Sequence, residues 1–371
     1  MDNEKKLKQL KTARRLLLIT LILFIAVFIV INTEYISLDN MGRIAYDVRT
    51  AFSGKNMGET ICELSESREK EICSYKDGFV IASESVISVY SSSMYKYSDH
   101  PISLKSPVLC TNSKNILAFD RGGKTAYVMD SFTVIHTFTM EEVIINAGIS
   151  ENGSVFIITE SYGYKSRLTV YNSSYAEVFS WDSTDEYILD AILDGDFIWA
   201  ISIEQSDTYI NTVLRKIKYT EATVSQKVTT YGGIYVGAAL KKNGAVALMT
   251  DREILLVSSP DQQKQIYSYV TGSPVYYDQS DEYILLSYGD KVVFLDIAGN
   301  MLFSKDYSDV GGVYIFERRL FIFHGEVLTE LSYSGEKVAE YNVPGSALRI
   351  VFAEGSFFAA GADFVEKTEL N

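Results

Sequence analysis

Residues 276–306 read YYDQSDEYILLSYGDKVVFLDIAGNMLFSKD and contain one full unit of the pattern that decides the fold. The unit begins with a short strand, a tight polar turn and a strongly apolar strand. A third strand and a more polar outer strand follow. Turns rich in Asp, Asn, Gly, Lys or Glu are typical of β-hairpins. The stretch therefore predicts a four-stranded antiparallel sheet.

The same unit recurs eight times along the chain. Its apolar strands begin at Phe79, Ile116, Val155, Phe197, Ala245, Tyr283, Leu320 and Phe357. Successive starts are 37, 39, 42, 48, 38, 37 and 37 residues apart, close to the length of about 40 to 45 residues that a four-stranded propeller blade needs. We therefore predict an all-β, eight-bladed β-propeller over residues 59–371. A seven-bladed ring with one degenerate unit is the alternative.

The eighth unit lacks an outer strand of its own, because its third strand runs to Asn371. Residues 59–65, ETICELS, precede the first unit and are a suitable donor of the missing strand. Joining the two ends in this way would close the ring and protect strand edges that an open sheet leaves exposed.

An apolar run near the N-terminus predicts a membrane anchor. Residues 16–31 read LLLITLILFIAVFIVI, with no charge. A spanning helix needs about 20 residues, so flanking residues must contribute. The alternatives are a cleaved signal peptide and a buried core helix. Because the run exits without a cleavage site of small residues and follows no folded segment, we predict an uncleaved signal-anchor helix over 16–33.

The charge distribution predicts the orientation of this anchor. Residues 1–15 carry a net charge of +4, so the rest of the chain carries −18 of the total of −14. The cations of this tail are Lys5, Lys6, Lys8, Lys11, Arg14 and Arg15. By the positive-inside rule the tail is cytoplasmic and the propeller lies outside, on a single-pass protein of the cell membrane. The lipid bilayer is thus one expected partner, and nucleic acid is not, because an acidic body repels phosphates.

An amphipathic juxtamembrane helix is predicted within residues 34–58. Ser37 is a candidate N-cap, and Gly54 a candidate end. The apolar positions recur at spacings of three and four, at Leu38, Met41, Ile44, Ala45, Val48 and Phe52. This stripe could pack on the propeller, lie on the membrane or pair with a second copy.

The segment 292–306, VVFLDIAGNMLFSKD, resembles the quinoprotein-type propeller repeat, in which an apolar strand ending in Asp precedes a Gly turn and an aromatic residue. The matching positions are Leu295, Asp296, Gly299, Asn300, Leu302 and Phe303. The whole layout is similar to uncharacterised, membrane-anchored bacterial propellers with quinoprotein-like or WD40-like repeats. This resemblance implies the fold and brings no activity. The vicinal cysteines and the full set of tryptophans of a quinone pocket are missing, so no cofactor is predicted.

No residue pattern predicts catalysis or metal binding. The three histidines, His100, His136 and His324, fall on different predicted blades. The three cysteines form no C-x-x-C motif, although Cys62 and Cys73 could pair outside the cytoplasm. Two acidic segments, 182–186 and 278–282, are expected to be solvated turns.

Tyrosines on predicted loops are the candidate binding residues, because aromatic side chains on a rim can anchor protein or glycan partners. They are Tyr95, Tyr97, Tyr162, Tyr164, Tyr276 and Tyr277. Burial between blades is the competing explanation for them. The sequence predicts a binding scaffold without catalysis, recognising a protein or an envelope glycan. The alternative is a carbohydrate-active hydrolase or ligand sensor with carboxylates in the propeller channel.

Overall fold

The structure is a computed structural model, and it describes residues 14–20, 23–24, 37–52, 61–63, 70–206, 208–221, 223–230, 232–259, 262–269 and 272–370. The chain divides into two compact units, Met1–Met57 and Gly58–Asn371.

The first unit contains helical segments. Of the predicted anchor, residues 16–20, 23 and 24 are described and helical; the rest of 16–33, and Lys5, Lys6, Lys8 and Lys11 before it, lie outside the described residues. Among the residues that are described, no helix is long and apolar enough to cross a membrane. Helix α1 spans Leu38–Phe52.

The predicted amphipathic helix is therefore present, and Ser37 is its N-cap. The backbone N–H of Asn40 donates to Ser37 Oγ at 3.0 Å, which satisfies one of the amides that a helix leaves free at its start. Four of its apolar side chains, Leu38, Met41, Ile44 and Val48, are exposed.

In the described part of the second unit, thirty-two strands form eight four-stranded antiparallel sheets. This confirms the all-β, eight-bladed propeller and excludes the seven-bladed alternative. The strands of blades 1 to 4 are β2 (Lys70–Tyr75), β3 (Gly78–Ser83), β4 (Val86–Tyr90), β5 (Lys96–Pro101), β6 (Pro107–Thr111), β7 (Ile116–Asp120), β8 (Thr125–Met129), β9 (Val134–Thr139), β10 (Ile144–Ile149), β11 (Val155–Thr159), β12 (Ser166–Tyr171), β13 (Glu177–Ser183), β14 (Tyr187–Asp194), β15 (Phe197–Gln205), β16 (Ile210–Lys218) and β17 (Thr223–Thr230).

The remaining four blades follow the same order. Their strands are β18 (Tyr235–Leu240), β19 (Val246–Thr250), β20 (Glu253–Ser259), β21 (Gln262–Ser268), β22 (Tyr276–Gln279), β23 (Tyr283–Tyr288), β24 (Lys291–Asp296), β25 (Met301–Asp306), β26 (Val310–Phe316), β27 (Arg319–His324), β28 (Val327–Leu331), β29 (Lys337–Asn342), β30 (Arg349–Ala353), β31 (Ser356–Ala360), β32 (Phe364–Glu369) and, from the N-terminal side, β1 (Ile61–Glu63).

Strand β1 completes blade 8, as predicted. It pairs antiparallel with β32, with Cys62 opposite Val365 and Glu63 opposite Phe364. The first and last strands of the propeller therefore share one sheet, and this sheet closes the ring.

The hydrophobic core lies between the blades. The second strand of a blade is buried on both faces, as in β7 and β11, where all five residues are buried. The apolar clusters join neighbouring blades: Phe79 and Tyr90 of blade 1 pack with Val351 and Phe358 of blade 8. Because each such side chain contributes about 1.5 to 3 kcal/mol on burial, the blades stabilise one another.

Antiparallel order gives the ring two faces. We call the face with the turns between first and second strands, and between third and fourth strands, the hairpin face. The opposite face carries the turns between second and third strands and the connections between blades, and we call it the inter-blade face. On the inter-blade face, backbone hydrogen bonds join the turns between second and third strands to the connections between blades. The N–H of Gly122 donates to Ile144 O at 2.8 Å, and the N–H of Glu160 donates to Val143 O at 3.0 Å.

The chain enters the ring at the hairpin face. Glu63 pairs with Phe364, which directly follows the turn between β31 and β32 on the inter-blade face, whereas Ile61 pairs with Glu366 further down the strand. The inter-blade face is therefore opposite the point of entry.

Candidate functional site

Polar side chains lie on three of the first strands, which surround the axis of the ring. They are Asn146 of β10, Asp190 of β14 and Asp278 of β22. In each, Oδ1 accepts a hydrogen bond from the backbone N–H of the next residue, at 3.0, 2.8 and 2.8 Å. Each of the three side chains thus bonds to the backbone of its own strand in the same way.

These side chains join blade 3 to blade 4, blade 4 to blade 5, and blade 6 to blade 7. Asn146 Nδ2 donates to Leu189 O at 3.1 Å and to Asp190 Oδ1 at 3.0 Å. Tyr235 Oη of blade 5 donates to Asp190 Oδ2 at 2.5 Å. The backbone N–H of Ile315 in blade 7 donates to Asp278 Oδ2 at 2.7 Å. The polar groups at the axis therefore hold the ring together.

β-Bulges supply some of the acceptors. The register of the first strand shifts between Ile188 and Asp190 in blade 4 and between Tyr235 and Gly237 in blade 5. A bulge leaves one residue outside the regular pairing, so its carbonyl is free to bond elsewhere. Leu189 O accepts from blade 3 in this way, and Val236 O accepts from Tyr277 Oη of blade 6 at 3.2 Å.

Burial raises the pKa of both axial carboxyl groups, Asp190 and Asp278, and the hydrogen bonds that they accept oppose this effect only in part. Carboxyl groups with raised pKa values can act as general acids. Both oxygens of each group, however, already accept hydrogen bonds from the protein. The contacts of both carboxylates therefore join neighbouring blades.

The histidines and cysteines form no common site. His100, His136 and His324 lie on blades 1, 2 and 7, as the sequence indicated. Within the described residues no group of His, Cys, Asp and Glu side chains could hold a metal ion. Cys73 is a free thiol, 3.6 Å from Thr111 Oγ1, so it is not paired with Cys62.

Both acidic segments differ from their prediction as solvated turns: Asp278 of segment 278–282 lies on β22 with both carboxylate oxygens bonded, and Glu186 of segment 182–186 is buried. Glu186 is 1% exposed, and its carboxylate accepts two hydrogen bonds from the Arg215 guanidinium and one from Ser202 Oγ at 2.7 Å. Lys227 Nζ lies 3.3 Å away. The two cations and the hydroxyl offset the desolvation of this carboxylate. Spacing in sequence could not show this, because the partners lie 16 to 41 positions downstream on other strands.

Four of the six predicted tyrosines belong to the inter-blade face. Tyr162 and Tyr164 lie in the turn between β11 and β12, where Tyr162 is 94% exposed. Tyr276 and Tyr277 begin the first strand of blade 6 and are both exposed. The structure thus places two pairs of predicted tyrosines on one face.

The other two tyrosines lie elsewhere. Tyr95 is half-buried in the turn between β4 and β5 on the hairpin face. Tyr97 is buried, with its ring edge-on to Phe132 at 5.7 Å, so it is unavailable to a partner.

The inter-blade face also exposes apolar side chains that the sequence analysis did not single out. They are Tyr187, Tyr209, Ile210, Ile234, Val275 and Leu348. No large apolar side chain is exposed in the described turns of the hairpin face. Some of these residues could have been found from the sequence, because an apolar residue stands inside a connection that contains Gly and Ser, as at Val275 and Leu348. At the hairpin end, the exposed apolar side chains instead begin outer strands, as Val134 of β9 and Met301 of β25 do.

An acidic cleft of about 370 Å³ runs between blades 2 and 3, from Glu141, Glu142 and Glu160 at the inter-blade face to Glu177 at the hairpin end. Its carboxylates are Glu141, Glu142, Glu160 and Glu177, and Tyr162 and Tyr171 also line it. Arg167, the one basic residue in its lining, donates two hydrogen bonds of 2.8 Å to Asp182. No ion pair or side-chain hydrogen bond engages the four glutamates within the described part of the chain.

A closed ring of eight four-stranded antiparallel blades defines the class of this protein as a β-propeller. The chain belongs to the family of unknown function DUF5711, whose model matches residues 49–370. A search of curated protein sequences returned no match.

Solved structures share the fold at low sequence identity. BamB from Moraxella catarrhalis is 13% identical, with a TM-score of 0.57 over 84% of this chain and 98% of its own. The C-terminal WD40 domain of Sif2 is 9% identical, with a TM-score of 0.62 over 85% and 100%. Apo AztD from Citrobacter koseri is 14% identical, with a TM-score of 0.53 over 83% and 90%. These likenesses show the propeller fold.

Proposed function

We propose that this protein is a membrane-tethered, extracytoplasmic binding scaffold that recognises a protein or envelope polymer through its inter-blade face. One observation carries the proposal: large apolar side chains are exposed across the inter-blade face and are absent from the described hairpin turns. Contiguous exposed apolar surface on a soluble fold is typical of an interaction site. Exposed tyrosines are also among the side chains that contribute most to binding.

A catalytic role is the weaker candidate. A glycoside hydrolase needs two carboxyl groups that reach the scissile bond from opposite sides. The axial carboxylates, Asp190 and Asp278, instead hold hydrogen bonds that join neighbouring blades. An enzyme would have to break these bonds to use either group.

We expect serine substitutions on the inter-blade face to remove captured partners. The variant is Val275→Ser, Tyr276→Ser and Leu348→Ser in the full chain, purified in detergent and compared with the wild type by affinity capture and mass spectrometry. Losing two or three anchors of an interface lowers affinity by about tenfold or more. The matched control is Val178→Ser, Met301→Ser and Val338→Ser, exposed apolar positions on the outer strands. Equal capture by all three proteins would contradict the proposal.

The predicted topology gives a second expected result. Protease added to intact cells should digest the propeller and leave residues 1–15 attached to the membrane, because the basic tail favours the cytoplasmic side. Antibodies against a C-terminal epitope and an N-terminal epitope separate the two fragments. Reversing the flank with Lys5→Glu, Lys6→Glu, Arg14→Glu and Arg15→Glu should reduce the protected fraction of the tail. A propeller that resists protease until the cells are lysed would disprove the extracytoplasmic placement.

A further inference from the structure

We propose that the partner of the inter-blade face is a basic polypeptide segment. Its cationic side chains enter the acidic cleft beside Tyr162, and its apolar side chains pack on the exposed residues of blades 4 to 6. The inference rests on the proposed function and adds the chemistry of the partner.

Charge complementarity selects a cation for the cleft. Four glutamates share a space of about 370 Å³, and the guanidinium of Arg167 is engaged by Asp182. Like charges in one cleft repel each other, so a cation that enters relieves repulsion and gains attraction at once. An anionic polymer or an acidic lipid surface is repelled by the same groups and by the net charge of −18 beyond residue 15.

Aromatic rings make the cleft better suited to Lys or Arg side chains than to a hydrated inorganic cation. Tyr162 is 94% exposed at the mouth and Tyr171 lies in the lining. A cation over the face of a tyrosine is attracted by the ring, and the aliphatic stem of Lys or Arg can pack against it. A neighbouring pair shows this geometry on the same face: Lys165 Nζ lies 4.8 Å from the centroid of the Tyr187 ring.

The apolar surface requires a partner longer than a single amine. Tyr187, Tyr209 and Ile234 are exposed on blades 4 and 5, and Val275 and Tyr276 are exposed where blade 6 begins. Only a chain that carries both cations and apolar side chains can fill the cleft and cover these residues together.

The hairpin face has a second cleft with different chemistry. Its volume is about 650 Å³, and Asp281, Glu282 and Glu317 line it together with Lys242 and Arg318. Lys242 Nζ lies 3.5 Å from Glu282 Oε1. Because its charges are mixed and partly paired, this cleft does not select a cation.

The test titrates the full-length protein in detergent with synthetic peptides. The probes alternate lysine with leucine, glutamate with leucine, and lysine with serine. We expect the lysine–leucine peptide to bind most tightly and to weaken as salt rises, because salt screens the exposed cleft. The cleft variant Glu141→Gln, Glu142→Gln and Glu160→Gln should bind this peptide with an affinity that is lower by up to about tenfold.

The control variant carries the same change of charge on the hairpin face, with Asp196→Asn, Glu336→Gln and Glu354→Gln. It should stay within about twofold of the wild type, since it alters only the distant field. All variants should keep the wild-type unfolding midpoint, because no described ion pair is removed. A serine variant of the apolar residues on blades 4 to 6, with Ile234→Ser, Val275→Ser and Tyr276→Ser, should bind the lysine–leucine peptide more weakly and the lysine–serine peptide as the wild type does.

Several outcomes would overturn the inference. Binding of the glutamate–leucine peptide with equal affinity would show that charge does not select the partner, although the scaffold function would stand. Equal losses in the cleft and control variants would remove the cleft from the site. Binding of chito-oligosaccharides without any peptide, or a dimer in sedimentation that the serine variant dissociates, would assign the face to a glycan or to a second copy. Failure of every peptide to bind would overturn it as well.

Discussion

Replacing Arg215 with methionine is expected to lower the free energy of unfolding by about 3 kcal/mol at neutral pH. The substitution leaves the Glu186 carboxylate buried without its main partner, and breaking one side of a buried ion pair is strongly destabilising. The side chain of Glu186 is 2% exposed and that of Arg215 is 19% exposed. Lys227 Nζ remains 3.3 Å from Glu186 Oε1. Because this cation still compensates part of the buried charge, the expected loss of unfolding free energy is at the lower end of the usual range. Urea denaturation of the purified chain measures it.

A second bidentate pair in the same protein provides the control. Arg167 binds Asp182 through two hydrogen bonds of 2.8 Å, but these side chains are 43% and 25% exposed. Replacing Arg167 with methionine should therefore cost less than about 1 kcal/mol. Similar losses for the two arginine variants would show that burial of Glu186 does not set the effect.

The pH dependence of the Arg215 variant follows from the pKa of Glu186. Burial acts to raise this pKa, but hydrogen bonds from Arg215 and Ser202 and the charges of Arg215 and Lys227 outweigh it and lower the pKa. In the wild type, the stability from this group is present above the unfolded carboxyl pKa of about 4.3 and is lost as pH falls through the folded value. Without Arg215 the folded pKa rises, so protonation of Glu186 relieves the penalty. The difference between the two proteins should shrink from pH 7 toward pH 4 or so.

The sequence predicted the blades because each blade repeats a local pattern. A polar turn before a buried strand, as in residues 78–83 or 116–120, depends only on neighbours along the chain and on the alternation of strands. Closure through residues 59–65 was predictable for a related reason, since the eighth unit lacked a strand. Eight repeats of similar length favoured eight blades, and the eight sheets of the structure then excluded the seven-bladed alternative.

The hydrogen bonds of the axial carboxylates and the buried ion pair of Glu186 with Arg215 could not be predicted from the sequence. Asp190, Asp278 and Glu186 look like ordinary acidic positions, and their partners Tyr235, Ile315 and Arg215 are 29 to 45 residues away. A contact at that distance depends on how neighbouring strands and blades are placed, and a single bulge changes which way each side chain points.

The tyrosines show the same limit at the candidate site. Tyr97 and Tyr276 both lie near the start of a strand, yet Tyr97 is 7% and Tyr276 38% exposed. Phe132 of the next blade covers Tyr97, whereas Tyr276 begins a strand at the open end of blade 6. The adjoining blade decides exposure, and residue type does not.

Removing strand β1 is expected to open the ring. A chain that begins at residue 70 keeps seven complete blades but leaves β32 as an uncovered edge, whereas a chain that begins at residue 54 keeps the closure. Three residue pairs join β1 to β32, and each net backbone hydrogen bond contributes about 0.5 to 1.5 kcal/mol. We therefore expect the free energy of unfolding of the shorter chain to be lower by about 2 to 4 kcal/mol.

The reason that this loss spreads beyond one strand lies in the core between blades 1 and 8. Val365 of β32 is fully buried and packs in the same cluster as Phe79 and Phe358, so fraying of the uncovered edge loosens the contact that joins the two ends of the ring. An exposed edge also pairs with other chains, and the shorter protein should aggregate at concentrations where the longer one stays monomeric. A synthetic peptide of residues 58–69 added in trans should restore the unfolding midpoint, and a scrambled peptide should not. If the two chains unfold at the same urea concentration, β1 contributes nothing to closure, and the blades alone hold the ring.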